Sequence, residues 1–137
     1  MNALTTTGDL TDTYVGALAA GDAAAALAVL GADAVFQSPF HTWRGHHVPS
    51  VFRARCAAFT DLTVNSVLRG GDQAVIFWSA TANGVPVEAA EVLSAGGGAI
   101  GRVDVYLRPA AALDAVHQAM AEAWPQPPDT RAAVTEH

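Results

Sequence analysis

Asn83-Gly84 stands between two apolar runs, AVIFWSATA at residues 74–82 and VPVEAAEVL at 85–93, and no other feature restricts the fold so tightly. Asn-Gly tolerates the positive φ angles of a two-residue type I′ turn, whose twist matches the strands it joins. With these two residues as the loop, Ala82 faces Val85, Ser79 faces Glu88, Phe77 faces Ala90 and Val75 faces Val92. Side chains alternate along a strand, so Glu88 shares a face with Val75, Phe77, Ala90 and Val92, while Glu91 lies beside Ile76 and Trp78. A carboxylate among apolar side chains is costly unless it is paired or its pKa rises. Glu88 is therefore the leading chemical candidate.

The chain has 137 residues, enough for one domain with a core of its own. We expect that domain over residues 1–124, followed by a disordered tail at 125–137, PQPPDTRAAVTEH. There is no internal repeat. No apolar run approaches the length of a membrane span, and the N-terminus lacks the basic-then-apolar pattern of a signal peptide. One cysteine, Cys56, fits a reducing cytoplasm and allows no internal disulfide. A net charge of −6 with seven Lys+Arg argues against nucleic acid, whose phosphates demand a basic face.

Helix signals come first. Thr7 or Asp9 is placed to cap a helix to about Ala20, with Leu10, Tyr14, Ala17 and Leu18 on one stripe. Asp22 is placed to cap a second, short helix through Leu30. A strand at 34–38 ends at Pro39, and PFHTWRGHH reads as an ordered loop. Pro49 suits the first turn of a third helix reaching Phe59, with Val48, Val51, Phe52, Cys56 and Phe59 buried. Strands at 62–69, 74–82, 85–93 and 99–108 form a meander, and a helix at 110–124 turns Leu113, Val116, Met120 and Trp124 inward. Helices gathered early and antiparallel strands gathered late indicate an α+β fold whose sheet curls round the helices.

YVGALAAGD, ADAVFQSPF, WRG, PVEAAEVL and AIGRVDVYLRP, in this order and spacing, resemble the SnoaL-like branch of the nuclear transport factor 2-like superfamily over about residues 8–124. The resemblance implies a cone-shaped α+β barrel with one deep apolar pocket, and a homodimer formed through the outer face of the sheet. It does not by itself imply one activity. Compared with the steroid Δ-isomerases of that superfamily, it places an oxyanion-donor tyrosine at Tyr14 and a protonated carboxylic acid at Glu88. The general-base aspartate of those enzymes falls on Ser38, whose hydroxyl is no base of comparable strength.

Each candidate has a structural alternative. Glu88 is either a pocket acid or an exposed carboxylate near a turn, and Tyr14 either a pocket donor or a core tyrosine. His41 is the substitute for the missing aspartate, or a solvent-facing loop histidine. His41, His46 and His47 match no familiar zinc spacing, so no metal and no cofactor are expected. Phe40, Trp43, Phe52, Phe59 and Phe77 are expected to line the substrate pocket or the core, as is Trp78 unless it lies in a dimer interface. Glu91 is expected to pair with Arg102 on the outer face near Asp104, although a bulge at the triple-glycine turn reverses the last strand's faces.

The leading functional expectation is a cofactor-free enzyme of polyketide-like biosynthesis. It carries out acid–base cyclisation, isomerisation or dehydration of a hydrophobic, oxygenated small molecule, with Tyr14, Glu88, His41 and Ser38 as catalytic residues. The biosynthetic setting comes from the resemblance alone. The alternative is a non-catalytic binding or dimerising domain, which the serine at position 38 favours. A third possibility is an epoxide hydrolase built on Glu91, Arg102 and Asp104.

Overall fold

Asp22 begins the second helix as its sequence suggests: its carboxylate accepts the Ala25 N–H at 3.0 Å. The computed structural model describes residues 7–124; the expected tail at 125–137 lies outside the described residues. Helix α1 runs Thr7–Ala20 and α2 Ala23–Ala28, followed by strand β1 at Leu30–Gln37. Within the stretch expected to be loop, Thr42–Arg44 forms a short strand β2, paired antiparallel to the end of β1. Helix α3 covers His47–Ala58, with Pro49 in its first turn. Then come β3 Thr60–Gly70, β4 Gln73–Ala82, β5 Val85–Gly96 and β6 Ala99–Arg108. A 3₁₀ turn, Ala110–Ala112, leads into α4, Leu113–Ala123.

The hairpin register is the one the Asn-Gly turn dictates: Ser79 faces Glu88, Phe77 faces Ala90 and Val75 faces Val92. Asn83 and Gly84 take φ of 48° and 79°, as a type I′ turn requires. Strands β3 to β6 form the expected meander in a single sheet of order β2-β1-β6-β5-β4-β3. β1 joins it parallel to β6, a long-range pairing with no local sequence signal. Register breaks at Thr60/Thr63, Val64/Ser66 and Ser94/Ala95 bend the ribbon, because an extra residue on one strand tilts it against its partner. The result is a curved, open α+β sheet with helices on its concave side.

That concave face carries Ile76, Trp78 and Ala80 from β4, Val87, Ala89, Glu91 and Leu93 from β5, and Val103 and Val105 from β6, all buried. Tyr14 of α1, Val51 and Phe52 of α3 and Val116 of α4 pack onto it. The face assignment of the hairpin is thus the reverse of the expected one. Both faces are apolar, so alternation fixes which residues share a face but not which face meets the helices. Val75 and Phe77 point outward with Glu88.

Candidate functional site

Arg55 falls on the same helical stripe as Val48, Val51 and Phe52, spacings that bring side chains to one side of a helix. An arginine there is buried along with its apolar neighbours and is 4% exposed. Its guanidinium carbon lies 5.4, 5.5 and 5.7 Å from the ring centres of Phe36, Phe52 and Trp78, an aromatic enclosure suited to a desolvated cation. A lone charge at this depth is prohibitive, and Glu91 of β5 supplies the compensation. Arg55 Nη1 donates to Glu91 Oε2 at 2.9 Å and Nη2 to Oε1 at 2.7 Å, a bidentate pair.

The carboxylate receives two further donors. Trp78 Nε1 donates to Oε1 at 2.8 Å, and the Tyr14 hydroxyl donates to Oε2. Arg55 Nη1 also donates to the Tyr14 oxygen at 3.3 Å. Burial alone raises a carboxyl pKa, but the Arg55 charge and these hydrogen bonds outweigh it and hold Glu91 below its ordinary value. Burial also opposes the charge on Arg55, and Glu91 more than offsets that. Burial, reinforced by the Glu91 charge, pushes the Tyr14 hydroxyl well above the usual tyrosine range, so it stays protonated. The ion pair is closed, with Glu91 as anion and Tyr14 as donor. Two Arg55 N–H bonds, one on Nε and one on Nη2, donate to no protein acceptor among the described residues.

Arg55 borders two spaces. One is a small apolar cavity of about 30 Å³ between the sheet, α3 and α4, lined by Phe36, Ser38, Phe40, Phe59, Val105 and Met120 among others. That volume holds a water or two and no substrate, so the interior is filled where a deep pocket was expected. The other is a surface cleft of about 250 Å³ between the C-terminal ends of α1 and α3.

Of the residues expected to form the site, Tyr14 is in it and Glu88 is not. Glu88 lies on the convex face, 55% exposed, and accepts from Arg108 Nε at 2.8 Å. The carboxylate that is set among apolar groups is Glu91, because Arg55 and Trp78 reach it from the concave side. Nor does Glu91 meet Arg102: the register places Val105 opposite Glu91 and Ser94 opposite Arg102. Arg102 binds Asp104 and Gln37, so Glu91, Arg102 and Asp104 are not assembled around one water. Ser38 lines the apolar cavity, but its hydroxyl accepts the Phe40 and His41 N–H groups at 3.2 and 3.3 Å, bracing its own turn. His41 stands on an outer concavity with its ring 5.1 Å from Trp43, away from Arg55. Trp43 stacks on Trp124 at 5.0 Å. Phe52 is core, packed edge-on to Tyr14 and Phe36. Phe40 and Phe59 line the cavity, and Phe77 lies outside it on the convex face. Arg55 is the residue sequence reading missed; its signal was a cation inside the apolar stripe of α3. Among the described residues no cluster of three or more His, Cys, Asp or Glu is placed to hold a metal, and no helix is long and apolar enough to cross a membrane.

Residues 11–103 match the model of a family described as the SnoaL-like domain. No curated protein sequence matches the chain. Among solved structures, a steroid Δ-isomerase from Pseudomonas aeruginosa superposes with a TM-score of 0.77 at 22% identity, covering 85% of this chain and 89% of its own. A bacterial protein of cystatin-like fold from Silicibacter pomeroyi gives 0.76 at 21% identity, covering 81% and 82%. A de novo designed protein with a curved β-sheet gives 0.69 at 17% identity, covering 82% and 93%. Identities this low speak for the fold alone.

Proposed function

We propose, for a chain that belongs to the SnoaL-like domain family, that it binds a small, apolar, uncharged molecule through one carbonyl or hydroxyl oxygen received by Arg55. The observation that carries this reading is the pair of unspent Arg55 N–H bonds on a cation already neutralised by Glu91, at the edge of an apolar cavity. A neutral acceptor satisfies those donors without adding a net charge to a dry interior. The ligand makes its own room by displacing the half-buried Phe40, Phe59 or Met120. Calorimetric titration with aryl ketones of increasing size, polyketide-like ones included, tests the reading. Arg55→Met with Glu91→Leu removes the donors while keeping the volume apolar and is expected to lose binding. Equal binding by that double variant sinks the reading.

A second reading, isomerase-type turnover, is favoured by the same donors, which suit a developing enolate oxygen. Against it, all four acceptor positions of Glu91 are engaged and Ser38 is spent in its turn, which leaves no strong base among the described residues at the cavity. Binding without turnover therefore stands first. Solvent deuterium appearing next to the ketone carbonyl at an enzyme-dependent rate reverses that order.

The same reading includes a second copy of the chain on the convex face. Leu68, Phe77 and Tyr106 are 59%, 37% and 62% exposed there, beside the Glu88–Arg108 pair. Sedimentation of Tyr106→Glu against the unchanged protein is expected to show a shift from dimer to monomer; no shift removes this face as the contact.

A further inference from the structure

Phe59 and Arg55 are shared walls: both line the 30 Å³ interior cavity and the 250 Å³ cleft between the ends of α1 and α3. Phe59 is the C-cap of α3, already extended at φ −97° and ψ 130°, so its side chain leaves the helical stripe and packs edge-on against Trp78 at 5.0 Å. The backbone beside it is irregular. Asp61 holds φ 54°, a left-handed conformation uncommon for a non-glycine residue, and the β3–β4 pairing breaks between Thr60 and Thr63. The ring thus stands between the two spaces, beside an irregular stretch of the β3–β4 pairing.

We propose that the cleft is the entrance to the interior and seats the second half of the ligand, with Phe59 as the partition that moves. This rests on the small-molecule reading above. The two spaces joined approach the lower end of the roughly 300–1,000 Å³ usual for ligand sites, which neither reaches alone. The ligand is then two-part: an apolar head inside, its oxygen on Arg55, and a polar tail in the cleft. The cleft wall sets the tail's chemistry. Leu18, Ala19, Ala20 and Gly21 bring the carbonyl end of α1, with no basic residue in its last turn, and Asp61 adds a carboxylate. With the Arg55 charge already neutralised by Glu91, both repel anions, so the tail carries hydroxyl or other donor groups and no carboxylate or phosphate.

Cys56, the chain's single cysteine, lines this cleft and is half-buried, which makes it a built-in reporter. The probes are 4-(3-hydroxypropyl)acetophenone and 3-(4-acetylphenyl)propanoate, the same head with a neutral and an anionic tail. The neutral-tailed ketone is expected to slow Cys56 alkylation by N-ethylmaleimide by about tenfold or more at saturation, and to bind at least about tenfold tighter than the carboxylate. Alkylated protein is expected to lose affinity for it by a similar factor, while Phe59→Leu and Phe59→Ala speed its association. A ketone that binds without protecting Cys56, and binds alkylated protein equally well, enters elsewhere, for example beside Ser38 and Phe40, and overturns this inference alone. Equal affinity for the two tails overturns the assignment of the tail. Failure of both ketones, and of unsubstituted acetophenone, to bind any of these proteins overturns the small-molecule reading and this inference with it.

Discussion

Arg55 on α3 and Glu91 on β5, 36 residues apart, are locked by two hydrogen bonds of 2.9 and 2.7 Å, with their side chains only 4% and 0% exposed. That pair fastens the helical layer to the centre of the sheet. Tyr14 ties α1 to the same carboxylate and Trp78 ties in β4, so one anion gathers side chains from two helices and a neighbouring strand.

Removing one partner leaves the other charged, buried and unpaired. Arg55→Met or Glu91→Leu alone is expected to cost about 3–5 kcal/mol of stability, whereas the double substitution costs far less than the sum. Urea denaturation of the four proteins closes the cycle. Additive losses would show that the pair is not coupled.

The pH dependence follows from the same group of residues. Glu91 titrates below its ordinary 4.5 in the folded chain, so an unfolded glutamate binds protons that the folded one does not. Its stabilisation is full above 4.5 and is lost as pH falls through the depressed folded value. Tyr14 is raised above its ordinary 10.0, so its contribution is full below that pH and declines above it, where only the unfolded tyrosine ionises. Urea midpoints across pH should be flat between these limits as far as this group is concerned. Glu91→Leu combined with Arg55→Met should remove the acid-side slope that Glu91 contributes.

Trp78→Phe keeps most of the ring's packing and deletes the indole N–H that reaches Glu91 Oε1. A loss of about 1.5–3 kcal/mol is expected for a hydrogen bond to a charged group. A cost near zero would mean that Glu91 is satisfied by Arg55 and Tyr14 alone.

Glu88→Gln makes the contrasting case. Glu88 and Arg108 are 55% and 77% exposed, so their pair lies in water and its removal is expected to change stability by about 1 kcal/mol or less. A loss as large as that from Glu91→Leu would contradict the convex placement of Glu88.

Gly84→Ala tests the turn. Gly84 holds φ 79°, where a Cβ crowds the backbone, and about 1–2 kcal/mol of destabilisation is expected by thermal or urea unfolding. The added methyl meets no neighbouring atom within 4 Å, so any cost measured is conformational.

By itself the sequence determined the meander, the Asn83-Gly84 turn and the register counted from it, because these depend on local turn chemistry and on a side-chain period of two. It also determined that Glu88 and Glu91 take opposite faces. Which of them is inside was decided by tertiary structure. Ile76 and Trp78 on one face and Val75 and Phe77 on the other are apolar alike, so the strands alone carry no preference. The choice came from α3, which sets Arg55 over the face that holds Glu91, and an unpaired charge on either residue would forbid the alternative. Strand β2, the parallel β1–β6 pairing and the walling of the cavity by Phe36 and Phe59, the latter packed on Trp78, likewise rest on contacts between segments far apart in the chain, which local patterns do not encode.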